Sequence, residues 1–370
     1  MDCADLVEEA QNAGAQSTRQ PNSEPIPGYR LIELLGRGGF GEVWKCEAPG
    51  GLCKAVKFVY GNLEGLEGAS AEEELRAIQH VKAIRHPFML SMERVEVIDG
   101  ELVIVTELAD RNLSDVLAAY RRSGAAGIPR SELLGYLREA AEALDLMNIQ
   151  HGLQHLDIKP QNLFLVSGHL KVADFGLVSS LAAGRDGKLS LSAITPIYAA
   201  PELFRGMLSA RCDQYSLAIL YQELLTGILP FKGTNSRQLL LQHATAEPDL
   251  SPLIEPDRSI VAKALSKDPQ ARFTTCTDFV LALSISRIAG ATQETAGPKG
   301  DALVGYRFVE ALGCTPQAET WRAIGPGDKK RIVKYIFGFN YRDKEREEAV
   351  IARLNALRYP TLADLEVQEQ

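Results

Sequence analysis

The stretch of sequence that decides the fold runs over residues 151–176 and reads HGLQHLDIKPQNLFLVSGHLKVADFG. Asp157 and Asn162 lie close together in it, and Asp174 follows after two short apolar runs that a Ser-Gly pair separates. A two-residue turn between such runs predicts a β-hairpin, which returns Asp174 towards Asp157. A polar turn between two core strands is the simpler interpretation, but two carboxylates and an amide would seldom meet at these spacings by chance.

These polar residues suit the transfer of a phosphoryl group. Such a transfer needs a group that orients or deprotonates the attacking hydroxyl, and oxygen atoms that hold the metal bridging the phosphates. Asp157 suits the first task, and Lys159, two residues later, can neutralise charge on the moving group. Asn162 and Asp174 suit the second task, so we expect them to bind Mg²⁺ or Mn²⁺.

A glycine-rich segment precedes this stretch, with Gly36, Gly38 and Gly41 in a Gly-x-Gly-x-x-Gly pattern. Such glycines let the backbone close over phosphates, where a Cβ would collide. Dinucleotide-binding folds carry the same string. The residues after Gly41 continue as β-prone sequence and do not begin a helix, and an alternating strand with Lys57 follows. The pattern therefore favours a β-hairpin over phosphates, with Lys57 placed to reach them.

Lys57 lies in an otherwise apolar strand and therefore requires a carboxylate partner. The sequence predicts a helix over residues 71–85, which begins with three consecutive glutamates. Only Glu74 among them shares a helical stripe with Ile78 and Val81. We therefore predict that Glu74 pairs with Lys57.

Together these motifs resemble those of eukaryotic-type serine/threonine protein kinases, over roughly residues 29–285. The resemblance implies an α+β, bilobal protein kinase fold, with a small β-rich N-lobe over residues 28–108 and a larger helical C-lobe over residues 109–286. Leu156 stands where most members carry the Arg that pairs with an activation-loop phosphate. The chain therefore resembles the non-RD variant of the family.

The resemblance also assigns residues to ATP, which with Mg²⁺ or Mn²⁺ is the implied cofactor. Thr106 would be the gatekeeper beside the adenine pocket, and the backbone from Glu107 to Ala109 would be the hinge that bonds the adenine edge. The full expected set comprises Leu35, Gly36, Gly38, Gly41, Val43, Ala55, Lys57, Glu74, Thr106, Glu107 and Leu108.

A polar segment that ends at Ala200-Pro201-Glu202 resembles the activation segment of the family. Within it, Thr195 resembles the residue that lines the acceptor site, and with Lys159 it favours Ser or Thr acceptors over Tyr. The resemblance thus implies protein substrates and allows autophosphorylation. Two alternatives stay open: a nucleotide-binding pseudokinase scaffold that acts through protein interactions, and phosphorylation of a small molecule.

Three further residue patterns predict structural roles. Asp213, at the start of a helix that is apolar on nearly every side, is expected to cap that helix and to tie down the segment around Asp157, which by resemblance is the catalytic loop. By resemblance, Arg272 is expected to pair with Glu202. We expect His155 to be a packed core histidine, because Asp157 already occupies the position of the base.

The chain then repeats part of itself. Residues 28–57 overlie residues 305–334 without a gap, and twelve of these thirty positions are identical, Lys57 and Lys334 among them. Thr315 and Ala318 stand where the first copy has two of its phosphate-loop glycines. We therefore predict a partial second kinase N-lobe that has lost the close approach to phosphate.

These patterns give a domain order. Residues 1–27 are polar and predict a disordered tail, residues 28–286 a kinase domain, residues 287–304 a linker, and residues 305–370 the degenerate N-lobe. About 65 residues bury little surface alone, so we expect this module to dock on the kinase domain or on a partner.

The composition excludes several function classes. The net charge of −8 argues against nucleic acid or an anionic membrane surface as the main partner. Six cysteines without a Cys-x-x-Cys pair suggest neither a zinc site nor a disulfide framework. No apolar run is long enough for a membrane span, and the N-terminus lacks the features of a signal peptide. A cytoplasmic protein is the expectation.

Overall fold

The computed structural model describes residues 19–38, 41–60, 75, 77–180, 194–290, 306–314, 318–325 and 329–336. The chain divides into two compact units, Met1–Ser284 and Ile285–Gln370. In the part of the chain that the model describes, no helix has the length and apolar character needed to cross a bilayer.

The small lobe of the first unit is an antiparallel sheet in the order β1-β2-β3-β5-β4. Its strands are β1 (Arg30–Gly38), β2 (Gly41–Ala48), β3 (Leu52–Val59), β4 (Met92–Ile98) and β5 (Glu101–Glu107). Residues alternate along β2 between buried side chains such as Trp44 and half-buried ones such as Val43. This period of two places a packed core on one face of the sheet and leaves the other face open.

Residues 19–27 belong to this lobe, so the predicted disordered tail over residues 1–27 is wrong for this part of it. Ile26 is buried in the core cluster of the small lobe. Leu31 in β1 makes two backbone hydrogen bonds to the segment, of 2.8 and 2.9 Å. The segment is therefore ordered by one buried apolar side chain and by its backbone pairing with β1, although its average composition is polar. Residues 1–18 lie outside the described part of the chain.

The large lobe is helical. Its described helices are α1 (Leu113–Arg122), α2 (Arg130–His151), α3 (Cys212–Thr226), α4 (Ser236–Thr245), α5 (Asp257–Ala264) and α6 (Cys276–Gly290). α2 buries one stripe, as its periodicity predicts, formed by Leu133, Leu137, Ala140, Leu144 and Met147. α3 is buried on almost every side because it carries apolar residues around its whole circumference.

The predicted hairpin is present in the large lobe. Its strands β8 (Leu163–Val166) and β9 (His169–Val172) are antiparallel and join β6 (Arg111–Asn112) in one sheet. The short strands β7 (Leu153–Gln154) and β10 (Ser179–Ser180) form an antiparallel pair on either side of this hairpin in the sequence. Ser167 and Gly168 have φ values of 52° and 84°. Two consecutive positive φ values are what a type I′ turn requires. The hairpin therefore brings the residues after it back beside the catalytic loop.

Asp213 holds the catalytic loop from α3. Its two carboxylate oxygens accept hydrogen bonds from His155 N at 2.7 Å and Leu156 N at 2.8 Å. The tie to the loop is thus confirmed, whereas the predicted helix cap is wrong, because α3 begins one residue earlier and makes no side-chain cap bond. Burial raises the pKa of Asp213, and the two donated N–H groups oppose that rise.

Arg272 pairs with Glu202, as the resemblance implies. Two guanidinium–carboxylate contacts of 2.8 Å join them, and their side chains are 0% and 4% exposed. Burial by itself would raise the pKa of Glu202, but the guanidinium outweighs it, and the pKa is lowered. This buried pair fixes the end of the activation segment to the base of the large lobe.

The second unit contains a three-stranded antiparallel sheet. Its strands are β11 (Arg307–Cys314), β12 (Ala318–Gly325) and β13 (Lys329–Ile336), in that order. The register between the first two shifts after Phe308 and again after Ala311. The register between β1 and β2 shifts after Leu31 and after Leu34, which are the matching positions of the sequence repeat. Residues 337–370 lie outside the described part.

Candidate active site

Four residues of the expected nucleotide site share the open face of the small-lobe sheet. Val43 lies directly opposite Lys57, and Ala55 directly opposite Thr106. Opposed residues of antiparallel strands share a face, as do residues two apart on one strand. All four side chains are half-buried. The open face of the sheet therefore presents three small side chains and one lysine.

The three glycines of the hairpin between β1 and β2 serve different purposes. A Cβ added to Gly36 or Gly38 would meet no atom within 4 Å. A Cβ on Gly41 would lie 2.2 Å from the carbonyl oxygen of Phe58. Gly41 is therefore needed for the close approach of β2 to β3, whereas the first two glycines leave space above the hairpin. Residues 39 and 40 lie outside the described part.

Lys57 meets Asp174 across the two lobes, with Nζ 3.0 Å from Oδ1. The Lys57 ammonium lowers the pKa of Asp174, against the opposing effect of burial. Asp174 has a φ of 63°, a left-handed conformation that Asp tolerates better than most residues. Glu74, the predicted partner of Lys57, lies outside the described residues.

Asp157, Lys159 and Thr195 form a triangle. Thr195 Oγ1 donates a hydrogen bond of 2.7 Å to Asp157 Oδ1. Lys159 Nζ lies 2.8 Å from Asp157 Oδ2 and 3.2 Å from Thr195 Oγ1. The Asp157 carboxylate is nearly buried. A hydroxyl, a carboxylate and an ammonium thus converge at the end of the catalytic loop.

Asn162 is oriented by Asp157. Its Nδ2 donates to the backbone oxygen and to Oδ2 of Asp157, both at 2.8 Å. Because the amide nitrogen is committed in this way, the amide oxygen is the atom that can serve a cation. The backbone oxygen of Asn162 accepts a hydrogen bond from Ala173 N, at 2.9 Å, next to Asp174. The hairpin therefore brings the two expected metal ligands to one place.

His155 is a packed core residue, as predicted. It is fully buried, and its ring centroid lies 5.3 Å from that of Phe175. Its Nδ1 accepts a hydrogen bond from Asp157 N at 3.3 Å, so the proton belongs on Nε2, which lies 3.1 Å from the oxygen of Ala173. His155 thereby links the backbone on both sides of the site.

Glu107, in the expected hinge, makes contacts to the large lobe that sequence reasoning missed. β5 ends at Glu107, whose Oε1 accepts a hydrogen bond from Ser91 N at 2.7 Å and a charged one from Lys171 Nζ at 2.8 Å. Lys171 belongs to β9, so the side chain of Glu107 fastens the end of the small-lobe sheet to the large lobe. A lysine facing outward from a strand gives no sequence signal for such a pairing. Leu108 is half-buried, and Leu35, near the hairpin, is exposed.

The segment after Thr195 is anchored to α3, which the sequence did not indicate. Tyr198 OH donates a hydrogen bond of 2.7 Å to Glu223 Oε2, and Ser216 Oγ donates one of 2.8 Å to the backbone oxygen of Tyr198. Burial raises the pKa of both Tyr198 and Glu223. Tyr198 N in turn donates a hydrogen bond of 3.2 Å to the backbone oxygen of Thr195, so these contacts tie Thr195 to α3.

The family model for the protein kinase domain matches residues 29–281. The chain belongs to the protein kinase family. It is 31% identical over 280 residues to serine/threonine-protein kinase PknF of Mycobacterium tuberculosis, over 71% of the chain and 57% of that protein. It is 33% identical over 259 residues to CBL-interacting protein kinase 4 of Oryza sativa, over 67% of the chain and 56% of that protein.

A solved kinase structure has the same fold. The kinase domain of Mycobacterium tuberculosis PknI superposes with a TM-score of 0.55 and 25% identity, over 72% of this kinase chain and 98% of that one. The expected bilobal fold is therefore confirmed. This kinase chain spans a little over half the length of PknF and of the rice kinase. The alternative of a pseudokinase scaffold gains no support from these relatives, which are named as kinases.

Proposed function

We propose that this kinase transfers the γ-phosphate of ATP to serine or threonine hydroxyls of proteins. The observation that carries the proposal is the hydrogen bond from Thr195 Oγ1 to Asp157. Lys159 forms an ion pair with Asp157 and a hydrogen bond to Thr195. A threonine hydroxyl of the chain itself already meets the carboxylate in the arrangement that an acceptor hydroxyl needs. The names of the curated relatives support the same acceptor class.

In the proposed reaction, Asp157 accepts a hydrogen bond from the acceptor hydroxyl and orients its oxygen for attack. As the hydroxyl oxygen forms its bond to the γ-phosphorus, the bond between that phosphorus and the β,γ-bridging oxygen would break, ADP would leave with the electron pair, and the hydroxyl proton would pass to Asp157. Lys159, 2.8 Å from that carboxylate, stabilises negative charge on the group in transfer. His155 and Asp213 hold the loop backbone, so Asp157 need not reorient during the reaction.

The nucleotide would lie on the open face of the small-lobe sheet, under the glycine-rich hairpin. Lys57 would bind its phosphates, with Glu74 as the residue that orients Lys57. Gly36 and Gly38 leave the room that a triphosphate needs. By family resemblance, the backbone of Glu107 and its neighbours would bond the adenine edge. The short Val43 and Ala55 side chains would pack against the base.

Asn162 and Asp174 fit a divalent cation, because they offer an amide oxygen and an ionised carboxylate. Mg²⁺ binds one or two such protein oxygens together with phosphate and water, and Mn²⁺ accepts similar ligands. When bound, the cation neutralises charge on the triphosphate. Lys57 keeps Asp174 ionised, and Asp157 keeps the Asn162 amide in one orientation, so both ligands are set in advance.

Control by activation-segment phosphorylation would differ from that of most relatives. Leu156 stands before the catalytic Asp, is buried and cannot pair with a phosphate. We therefore propose that this kinase is of the non-RD variant and that its activity does not depend on such a pair. We also propose that the kinase phosphorylates itself, that it is cytoplasmic, and that nucleic acid is not among its partners. The serines of residues 181–193 lie outside the described residues.

We further propose that residues 305–370 form a degenerate kinase N-lobe, which follows the kinase domain of residues 28–286 after a linker of residues 287–304. The matching register shifts of the two sheets and the sequence repeat support it. Thr315 and Ala318 replace glycines, so the module would not bind phosphate. Its expected role is docking on the kinase domain or on a partner.

The test is transfer of labelled γ-phosphate from ATP and Mg²⁺ to the full chain and to a generic basic protein. Labelled phosphoserine or phosphothreonine should form with the full chain and disappear with Asp174→Ala. Asp99→Asn, a change in an exposed turn, is the matched control and should keep its activity. Absence of transfer by the unaltered chain, with ATP still raising its melting temperature, would refute the proposed function.

A further inference from the structure

The segment that precedes β1 carries an arginine that reaches across the core face of the small lobe. The guanidinium carbon of Arg19 lies 3.8 Å from the ring centroid of Phe58, one of the largest fully buried side chains. A cation over an aromatic face is attracted to it, and more strongly when both are shielded from water. Arg19 is only 18% exposed, so it is an integral part of the lobe.

The guanidinium meets two carboxylates on this face. Arg19 Nη1 lies 2.8 Å from Glu42 Oε1, and Nη2 contacts Glu101. Burial raises the pKa of Glu101, and the charge of Arg19 opposes that rise. Glu42 is 0% exposed. A carboxylate without water requires a cation, and Arg19 provides a short, shielded cationic contact to the buried Glu42.

Glu42 directly follows the last glycine of the phosphate-loop pattern. It lies opposite Arg37 in the β1–β2 register, and Arg37 stands between Gly36 and Gly38. Arg37 Nη2 lies 3.2 Å from the second oxygen of Glu42. One carboxylate thus joins an arginine of the hairpin to an arginine of the preceding segment.

The nucleotide-facing residues lie on the opposite face of the same strand. Glu42 points to the core side, and Val43, its neighbour, to the open side. A shift of Glu42 would therefore displace the hairpin that covers the expected nucleotide. Arg37 is 45% exposed and 3.2 Å from Glu42, so its contact is longer and more open to water than that of Arg19.

We propose that Arg19 is a positioning residue for the nucleotide site: it holds Glu42, and through Glu42 the glycine-rich hairpin, in the geometry that covers the phosphates of ATP. The segment before β1 is then part of the catalytic unit. This inference rests on the proposed ATP-dependent function.

The experiment compares the full chain with Arg19→Ala, Arg19→Lys and Arg30→Ala. Arg30 pairs with Glu47 on the same lobe, but the two side chains are 55% and 38% exposed, so its removal is the matched control. The KM for ATP, kcat and the rise of melting temperature caused by ATP are measured for each, at a temperature where all remain folded.

Arg19→Ala should raise the KM for ATP on the order of tenfold and shrink the ATP-induced rise of the melting temperature, while kcat stays within about twofold. Arg19→Lys should restore most of the affinity, because it returns the charge. Arg30→Ala should match the unaltered chain. If Arg19→Ala does not fold, Arg19→Gln, which removes the charge but keeps most of the side-chain length, is compared with Arg30→Gln, and a raised KM in the first alone is the expected result.

The Glu42→Gln variant tests whether Arg19 affects ATP binding through Glu42 or only through its general packing in the small lobe. If Arg19 acts through Glu42, adding Arg19→Ala to Glu42→Gln should change the KM for ATP far less than it does in the unaltered chain. An undiminished effect there, an unchanged KM in folded Arg19→Ala, or an equal rise in Arg30→Ala would each overturn the inference. If the unaltered chain transfers no phosphate, the proposed function fails. The ATP-induced melting shift still tests Arg19 in that case.

Discussion

Lys57 Nζ lies 3.0 Å from Asp174 Oδ1, and this contact joins the small-lobe sheet to the residues that follow the large-lobe hairpin. The two side chains are 117 positions apart in the sequence. Because the ammonium lowers the pKa of Asp174, the site presents a cation suited to phosphate beside an anion suited to a metal. Under the proposed function, Lys57 would bind the phosphates of ATP and Asp174 its metal.

The Lys57–Asp174 contact predicts a pH dependence. A carboxylate whose pKa is lowered in the folded state stabilises the protein above its unfolded pKa, about 3.9 for Asp. That contribution is lost as the pH falls through the lower, folded value. The melting temperature of the nucleotide-free chain should therefore exceed that of Asp174→Asn at pH 6, and the difference should shrink below about pH 4. A difference that stays constant down to pH 3, as expected for the control Asp99→Asn, would contradict the contact.

The glycines of the hairpin should respond differently to alanine. Gly41→Ala places a Cβ against the Phe58 carbonyl, so we expect a loss of about 1–3 kcal/mol in the free energy of unfolding. The Cβ of Gly36→Ala would enter open space, so this change should alter the free energy of unfolding by less than about 1 kcal/mol. It should nevertheless raise the KM for ATP. Urea unfolding and ATP titration check the two values. Equal destabilisation by both changes would refute the assignment of separate roles.

Breaking the buried pair of Arg272 and Glu202 should lower the free energy of unfolding far more than breaking an exposed ion pair. Arg272→Ala leaves a carboxylate buried without its cation, which costs about 3–5 kcal/mol. Lys232 and Asp249, with side chains 63% and 42% exposed, provide the comparison. Lys232→Ala should cost less than about 1 kcal/mol. Similar losses in urea unfolding for the two variants would mean that burial does not govern the Arg272 pair.

Asp213 should matter for turnover as well as stability. Asp213→Ala leaves the N–H groups of His155 and Leu156 buried and unpaired, at a cost of about 1–3 kcal/mol. Because these groups set the course of the loop to Asp157, kcat should fall at least about tenfold, with the KM for ATP little changed. The control is Asp278→Asn, at the start of α6. An unaltered kcat in folded Asp213→Ala would show that the loop does not depend on α3.

Sequence patterns correctly predicted those helices and turns whose conformation depends on residues close together in the chain. The apolar stripe of α2 and the turn at Ser167 needed only spacing and turn residues, and both are present. The predicted disorder failed for residues 19–27 because one buried side chain, Ile26, and the backbone pairing of its neighbours with β1 fix that segment. Composition averages over such single anchors.

Long-range contacts between charged residues escaped the sequence for a different reason. Lys171 reads as an ordinary strand residue, and Glu107 was expected to bond the adenine edge through its backbone alone; only the fold brings the end of β5 to β9. The pairing of Arg19 with Glu42 is hidden in the same way. Where family resemblance supplied the partner, as for Arg272 and Glu202, the pair was predicted correctly. The expected partner of Lys57, Glu74, lies outside the described residues and stays a prediction.

The measurement that tests the central claim most directly is the turnover of Asp157→Asn. The full chain and this variant are compared for transfer of labelled γ-phosphate and for the rise in melting temperature on adding ATP and Mg²⁺. We expect the variant to lose about 10²–10⁴-fold in kcat, because the acceptor hydroxyl loses its base, while the ATP-induced melting shift persists. A variant that binds ATP and turns over at the rate of the unaltered chain would contradict the assignment of Asp157 and with it the proposed mechanism.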